Sequence, residues 1–288
     1  MPELPEVETI RNGLRRFVLN KEILELKIFD KKLAPFLLGY KKLENDNLLE
    51  IDRIGKLLIF KFKKSSLFLL IHLKMTGQLV YLPKNSEKLM VGGHSEPGQG
   101  VIEKKDFKHL RFQINFLNGD VLFLNDIRRF AYVKLVNSEE LNQIKNRFGL
   151  EPLEKIKYSD FLRLLERRAN KNVKAFLLDQ SLVSGIGNIY ADEILFASGV
   201  LPQRKVFSLK ETEKKLIFSN ISRILKLAVK KRGTTFSNYI DAEGQTGGFI
   251  KLLKVYGRDG QKCRKCHNLI LKDKVAGRGT HYCSECQK

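Results

Sequence analysis

The sequence predicts an α+β protein with more than one domain, and three observations support this fold class. Short β-rich segments follow one another from residue 22 to residue 136, and the spacing of apolar residues becomes helical after residue 137. The 288 residues, 43% of them hydrophobic, are enough for about two domains with complete cores. All four cysteines lie near the C-terminus. We therefore expect a β domain, a helical domain and a small metal-binding module, in that order.

The N-terminus combines a proline with nearby carboxylates. If the initiator methionine is removed, as is usual before a residue as small as proline, Pro2 becomes a free secondary amine. Such an amine is partly neutral near physiological pH and can attack an aldehyde to give an iminium, which accepts electrons in later eliminations. Glu3 and Glu6 could then transfer protons. The alternative is ordinary helix-start chemistry, with Pro5 near the first helical position and acids in the first turn.

Apolar residues predict the elements of the first half. One helical face over residues 5–18 would anchor Pro2 against a core, and it consists of Val7, Ile10, Leu14 and Phe17. Strands are predicted at residues 23–29, 48–52, 57–62, 67–73, 78–82, 110–116 and 121–124. Asn118-Gly119 marks a hairpin between the last two. This many short strands indicates a sandwich or a barrel, interrupted by a long irregular loop at residues 83–106.

Helical patterns follow the β region. Ser138 is predicted to cap the first helix, and apolar spacing predicts further helices from Phe161 and over residues 173–178. Ser208 and Glu211 have the spacing of a capping box at the start of a long helix. The change of composition near residue 137 predicts a domain boundary.

A turn between two predicted helices carries the sequence Gly185-Ile186-Gly187-Asn188. Because open N–H groups at a helix N-terminus bind phosphate, Asn188 is placed either to cap the next helix or to donate to a phosphate oxygen. A plain helix–helix turn is the alternative. Basic residues near the turn favour the phosphate interpretation: Arg163, Arg167, Arg168, Lys171, Lys174, Arg204 and Lys205.

The cysteines have the spacing of a four-thiolate zinc site, with two Cys-x2-Cys pairs sixteen residues apart: Cys263, Cys266, Cys283 and Cys286. The absence of any earlier cysteine fits a reducing compartment, which disfavours disulfides as the alternative. His267 and His281 adjoin the cysteines, and we expect them not to bind the metal. Residues 251–288 carry ten Lys and Arg against three acids, so this module is predicted to contact nucleic acid.

The overall charge also indicates a polyanionic partner. Lys and Arg number 53 against 32 Asp and Glu, which gives a formal charge of +21. No apolar run reaches the roughly 18 residues that a membrane span needs, and an acidic N-terminus does not fit a signal peptide. We therefore expect a soluble, cytoplasmic protein that binds nucleic acid and not a membrane.

Several motifs, in the same order along nearly the whole chain, resemble the formamidopyrimidine-DNA glycosylase family. They are Pro-Glu-Leu-Pro-Glu-Val-Glu from Pro2, Gly55-Lys56, His72-Leu73-Lys74-Met75-Thr76-Gly77, Asn125-Asp126-Ile127-Arg128-Arg129-Phe130, the turn at residues 179–191, and Arg278-Gly279-Thr280-His281-Tyr282-Cys283. Leu4 favours this family over its endonuclease VIII relatives, which usually have Gly there. The departures are Lys74, where Gly is common, and the long loop at residues 83–106.

The resemblance implies a bacterial monomer that clamps double-stranded damaged DNA. Its parts would be a β-sandwich with flanking helices at residues 1–137, a helix–two-turn–helix domain with a lesion-covering loop at 138–248, and a zinc finger with one structural Zn²⁺ at 249–288. The implied activity is the removal of oxidised purines such as 8-oxoguanine and formamidopyrimidines, followed by β,δ-elimination at the abasic site.

The resemblance also implies roles for individual residues. Pro2 would attack the sugar, Glu3 would move protons, Lys56 would be a second catalytic amine, and Arg278 would grip phosphate and assist the last elimination. The implied DNA contacts are His109, Arg128, Lys174 and Asn188. The residues that would fill the gap left by a flipped base are Met75, Arg128 and Phe130.

Other interpretations remain at this stage. The residues alone would make Lys56 a surface hairpin lysine. They would place Met75 and Phe130 in the core at strand ends and would have Arg128 contact a phosphate. A zinc-finger protein without enzyme activity explains the charge and the cysteines, but it gives no reason for Pro2 and Glu3. An endonuclease VIII-like enzyme acting on oxidised pyrimidines is the nearer rival.

Overall fold

The computed structural model describes residues 2–85, 90–93, 109–234 and 247–288. The chain divides into two compact units, Met1–Asn146 with Lys231–Ile250 and Arg147–Lys230 with Lys251–Lys288. The predicted division at residues 137 and 248 stays a prediction. Most of the predicted loops at 83–106 and 234–248 lies outside the described residues.

Helix α1 (Leu4–Val18) opens the first unit, as the sequence predicts. Pro5 lies in its first turn, where a missing N–H costs nothing. The carboxylate of Glu6 accepts a hydrogen bond from the backbone N–H of Glu3 at 2.9 Å, which fixes the residue that precedes the helix. The apolar face of α1 is buried and includes Ile10 and Leu14.

Two antiparallel sheets follow in the described part of the first unit. The strands are β1 (Ile23–Ile28), β2 (Leu48–Ile54), β3 (Leu57–Phe62), β4 (Phe68–His72), β5 (Gly77–Leu82), β6 (Met90–Gly93), β7 (Leu110–Phe116), β8 (Val121–Asp126) and β9 (Tyr132–Val136). One sheet has the order β1-β7-β8-β5-β6 and the other β2-β3-β4-β9. The sequence predicts all of these strands except β6 and β9.

The two sheets share one core, which makes the unit a sandwich. Phe112 and Leu124 from the five-stranded sheet and Phe60 and Val133 from the four-stranded sheet belong to the same buried cluster. Residues of α1 join that cluster. Burying apolar area at roughly 25 cal/mol per Å² is the main force that holds the layers together.

The second unit contains four α-helices: α3 (Tyr158–Arg167), α4 (Val173–Leu178), α5 (Asn188–Ser198) and α6 (Glu211–Lys230). Phe161, Phe176 and Tyr190 are fully buried among them. The predicted capping box at Ser208 is wrong, because the backbone N–H of Lys210 donates to Glu213 instead.

Helix α2 (Ser138–Lys145) follows β9 and belongs to the sandwich unit. Its cap is Asn137 and not Ser138 as predicted. The Asn137 side chain accepts from the N–H of Glu140 at 2.9 Å, and Glu140 accepts from the N–H of Asn137 at 3.2 Å. An amide oxygen at this position satisfies an N–H that the helix leaves open.

A two-stranded hairpin completes the chain, with β10 (Leu271–Val275) and β11 (Arg278–Tyr282). Ala276 and Gly277 connect the strands, and both have positive φ, at 52° and 74°. Two consecutive left-handed residues make the tight hairpin turn that matches the twist of the strands. Among the described helices, none has the length and apolar composition needed to cross a bilayer.

Candidate functional site

Pro2 and Glu3 are buried directly in front of α1. Glu6 holds this segment with three hydrogen bonds. One carboxylate oxygen accepts from the N–H of Glu3, and the other accepts from the N–H and the hydroxyl of Thr234, at 2.7 and 3.0 Å. Because these donors engage both oxygens, Glu6 acts as an anchor between the N-terminal residues and Thr234. The sequence does not reveal this long-range contact.

Lys56 lies in the tight turn between β2 and β3, directly after Gly55. Gly55 has a φ of +53°, a conformation that favours glycine. The Lys56 side chain is buried, with 6% of the residue exposed, so it is not the surface hairpin lysine that the residues alone suggest. A buried amine at this position can take part in chemistry if substrate reaches it.

His72, at the end of β4, is a neutral imidazole in this setting. Burial, together with the positive charges of Lys74 and Lys56, lowers the pKa of His72 to about 3. The Nδ1 atom accepts a hydrogen bond from the backbone N–H of Lys74 at 2.9 Å. The other ring nitrogen therefore carries the proton and can donate. The sequence motif contains His72, but nothing in the motif indicates that its imidazole is buried and neutral.

Met75, Arg128 and Phe130 form one cluster on the surface of the sandwich unit. Met75 and Phe130 are 44% and 49% exposed, so the alternative that they are core residues is wrong. The Arg128 guanidinium lies over the Phe130 ring at 4.7 Å, and its Nη1 atom is 3.7 Å from the Met75 sulfur. The predicted trio is thus adjacent and free to contact a partner, while its action as a wedge stays a prediction.

Asp126 holds the two loops that carry this trio. Its carboxylate is fully buried and accepts from the Thr76 hydroxyl at 2.5 Å, from the N–H of Arg128 at 3.2 Å and from the N–H of Ala131 at 2.6 Å. Thr76 follows Met75, so one acid fixes both loops. The only signal in the sequence is an acid at the end of an apolar strand.

His109 and Arg278 occupy different units. His109 is half-buried just before β7, and its carbonyl accepts from the N–H of Asp126 at 3.0 Å. Arg278 is exposed at the start of β11, beside the hairpin turn. The proposed contacts of both side chains with DNA stay predictions.

Lys174 and Asn188 meet at the backbone of the zinc hairpin. Both side chains donate to the carbonyl of Gly279, at 3.2 and 2.9 Å. Lys174 is fully buried and also pairs with Asp192 at 2.7 Å and with the Thr280 hydroxyl at 2.7 Å. Asp192 and the hairpin surround the Lys174 ammonium in this placement, and the predicted contact of Lys174 with the DNA backbone stays a prediction.

Asn188 does not cap α5 through its side chain. Its side-chain nitrogen donates to the carbonyl of Gly279, while its side-chain oxygen is buried without a hydrogen-bond partner. A buried polar atom that lacks a partner is costly, and functional sites are one place where it occurs. The predicted contact between Asn188 and phosphate stays a prediction.

The four cysteines converge as predicted, and their sulfur atoms all lie within 4.8 Å of one another. The Cys263–Cys286 and Cys266–Cys283 sulfur pairs are 3.8 and 3.4 Å apart. Four thiolates at about 2.3 Å from a tetrahedral zinc would be about 3.8 Å from each other, so the donor set fits Zn²⁺. His281 is buried near Asp192 and Asp259 and is not part of the cluster.

Three family models match the chain. They are the formamidopyrimidine-DNA glycosylase N-terminal domain over residues 1–133, the formamidopyrimidine-DNA glycosylase H2TH domain over residues 148–239, and the zinc finger found in FPG and IleRS over residues 260–288. The third model and the cysteine geometry agree on one structural zinc.

Whole-chain relatives give the same result. The formamidopyrimidine-DNA glycosylases of Carboxydothermus hydrogenoformans and Ligilactobacillus salivarius are each 38% identical, and the matches span 100% of this chain and at least 99% of theirs. The solved complex between the Lactococcus lactis Fpg and DNA containing an abasic site matches with a TM-score of 0.83 at 32% identity, covering 99% of both chains. A complex of the Lactococcus lactis Fpg with N7-benzyl-Fapy-dG DNA also has a TM-score of 0.83. The sandwich, the helical unit and the four-cysteine hairpin therefore belong to a member of the formamidopyrimidine-DNA glycosylase family, an enzyme with glycosylase and AP lyase activity.

Proposed function

We propose that this enzyme flips oxidised purines out of double-stranded DNA, cleaves the N-glycosidic bond with the amine of Pro2, and nicks the strand by β,δ-elimination. The observation that carries the proposal is the placement of Pro2 at a buried position immediately before α1, with the next backbone N–H held by Glu6. A fixed nucleophile lowers the entropic part of the barrier. The Lactococcus lactis relatives, solved with abasic-site and Fapy-dG DNA, support this substrate class.

The chemistry requires the initiator methionine to be absent. While Met1 is attached, the Pro2 nitrogen is a tertiary amide and has no lone pair to give. After removal, that nitrogen bonds to C1′ of the sugar, and the base leaves with the electrons of the glycosidic bond. Glu3 moves the protons that base release and ring opening require. The Pro2 nitrogen loses its own proton, and the opened sugar carries a C1′ iminium.

Strand cleavage then follows from the iminium as an electron sink. Loss of a proton from C2′ expels the 3′ phosphate, and loss of a second proton from C4′ expels the 5′ phosphate. Lys56 would serve as the second amine. Arg278 would hold a phosphate and assist the last elimination.

Binding would combine backbone contacts with a surface wedge. Contacts from His109, Arg128 and Asn188 to DNA would add affinity without sequence choice where they reach phosphate. Met75, Arg128 and Phe130 would fill the gap in the stack, because apolar wedges between base steps hold a kinked duplex.

The protein would act as a monomer. Its sandwich, helical and zinc domains would span residues 1–137, 138–248 and 249–288.

Borohydride trapping tests the amine mechanism. Reduction during reaction with abasic-site DNA should give a covalent adduct, and peptide mapping should place it at Pro2 in protein whose mass shows that Met1 is gone. A version with two extra residues before Pro2 is the control and should not be trapped. Adducts at Lys56 alone, or full activity with Met1 retained, would refute the mechanism.

Substrate choice needs a separate assay. Duplexes carrying 8-oxoguanine, a formamidopyrimidine or an oxidised pyrimidine should be compared at equal enzyme concentration. Faster release of the oxidised purines is the expected result. Preference for the oxidised pyrimidine would support the endonuclease VIII-like alternative, and it would leave the Pro2 mechanism unchanged.

A further inference from the structure

Arg53 connects two segments that carry proposed catalytic residues. It lies on β2 with only 4% of its side chain exposed. Its Nε atom donates to Glu8 at 2.8 Å, and its Nη1 atom donates to the carbonyl of Gly55 at 2.7 Å. Lys56 follows Gly55 directly, so one planar guanidinium links α1 to the turn that presents this amine.

Glu8 is the partner on α1, the helix that begins two residues after Pro2. Its carboxylate is nearly buried, with 10% of the side chain exposed. The oxygen that does not face Arg53 forms an ion pair with Arg11 at 3.2 Å and accepts a hydrogen bond from the amide of Asn12 at 3.2 Å. The carboxylate is therefore held from both sides, and its position on the helix is fixed.

We propose that Glu8 and Arg53 are positioning residues that fix the Lys56 amine relative to the Pro2 amine. The inference rests on the proposed function, in which both amines act on one sugar. Misplacing a catalytic group by about 1 Å can cost about 100-fold in rate. The fixed fork of arginine can serve Glu8 and Gly55 at once, whereas the single ammonium of a lysine cannot hold both in the same geometry.

A purely structural interpretation makes a different prediction. If Arg53 only fastens α1 to the sheet, removal of another contact between α1 and β2 should slow the reaction to the same extent. Arg15 on α1 provides that comparison, because it pairs with Glu50 on β2 at 3.7 Å, and Glu50 does not adjoin the Gly55 turn. Arg15→Met is therefore the matched control.

The test is a double-mutant cycle on single-turnover release of 8-oxoguanine from duplex DNA, measured below the melting temperature of every variant. Arg53→Lys should slow release about tenfold when Lys56 is present and less than about twofold in the Lys56→Met background. Arg15→Met should leave the rate unchanged. Glu8→Gln, which keeps an oxygen for Arg53 to donate to, should lose less rate than Glu8→Ala.

The outcomes separate the inference from the function on which it rests. An equal loss for Arg53→Lys in both backgrounds would show that Arg53 does not act through Lys56 and would overturn the inference alone. A normal rate for Lys56→Met would overturn the role of Lys56 as well. If Arg53→Lys does not fold, the comparison of Glu8→Gln with Glu8→Ala in the two backgrounds decides in the same way.

Discussion

The surface cluster of Met75, Arg128 and Phe130 leads to a prediction for Phe130→Ala. Phe130 is 49% exposed and lies 4.7 Å from the Arg128 guanidinium. Full burial of a Phe side chain contributes roughly 1.5–3 kcal/mol, so half burial contributes about 1 kcal/mol. Loss of an exposed cation–π contact adds about 0.5–1 kcal/mol. The free energy of unfolding should therefore fall by about 1–2 kcal/mol, well below the roughly 3–5 kcal/mol of a core Phe→Ala change.

The effect on the reaction should be larger than the effect on stability. Stacking of an aromatic side chain on a base is worth about 1–3 kcal/mol, which corresponds to about 5- to 160-fold in the rate of base release from duplex DNA. Nicking of a single-stranded abasic site should not change, because no stack has to be opened. Single-turnover assays on the two substrates and thermal denaturation measure these three quantities.

Phe36→Ala is the matched control. Phe36 belongs to the same unit, is 47% exposed, and has an aromatic neighbour in Tyr132 at 6.4 Å. It should lose similar stability and keep the duplex rate. The wedge interpretation fails if Phe130→Ala slows single-stranded nicking as much as duplex release, or if it destabilises the protein by the full core value.

Four further predictions concern other parts of the chain. Lys74 has a φ of +53°, so Lys74→Gly should raise the free energy of unfolding by up to about 1 kcal/mol and raise the melting temperature with it. A lower melting temperature for the variant would contradict the strain argument. A Cβ on Gly233, whose φ is +80°, would lie 2.6 Å from a Glu6 carboxylate oxygen. Gly233→Ala should therefore lower the free energy of unfolding by about 1–3 kcal/mol and slow borohydride trapping. Unchanged trapping would mean that Glu6 does not hold the N-terminus. Cys266→Ser should lose zinc, as measured by metal analysis, and with it DNA binding, because small four-cysteine modules take much of their folding energy from the metal; full affinity without zinc would refute this. Burial raises the pKa of Asp120, but hydrogen bonds from Lys21 and other donors hold it well below the usual range. Its contribution to stability is therefore present above about pH 4 and lost below. The urea midpoint of Asp120→Asn should change less between about pH 5 and pH 3 than that of the unaltered protein.

Periodicity accounts for the parts of the fold that could be predicted. The spacing of Val7, Ile10 and Leu14 gave α1, and alternation gave β7, because both patterns report a buried face directly. Strand β9 was missed because the motif that precedes it has no apolar period. The cap at Asn137 was misplaced by one residue, since adjacent Asn and Ser are both good caps.

Site residues could be predicted where the chemistry is local. The cysteine cluster follows from the spacing of its own residues, whereas the catalytic roles of Pro2 and Glu3 rest on the family resemblance and stay predictions. Lys174 shows the limit of this approach. A lysine at the start of a helix near other basic residues resembles a phosphate ligand, but Asp192 pairs with it from another helix, and only the fold brings the two together.

The placement of Lys56 shows a second limit. The residues alone favoured an exposed lysine, because glycine-lysine turns usually lie at the surface. The folded sandwich leaves only 6% of Lys56 exposed, and the local sequence does not indicate this burial. Glu6 and Thr234 are separated by 228 residues, and no local pattern could reveal their contact.

The shared anchor at Asp126 has a consequence for engineering lesion choice. Thr76 and the backbone N–H groups of Arg128 and Ala131 depend on a single carboxylate, so the two loops form one mechanical part. A replacement for the loop after β4 would keep this anchor only if it still offered a hydroxyl at position 76 to the Asp126 carboxylate. Residues 73–77 and 126–131 should therefore be exchanged together, as one cassette.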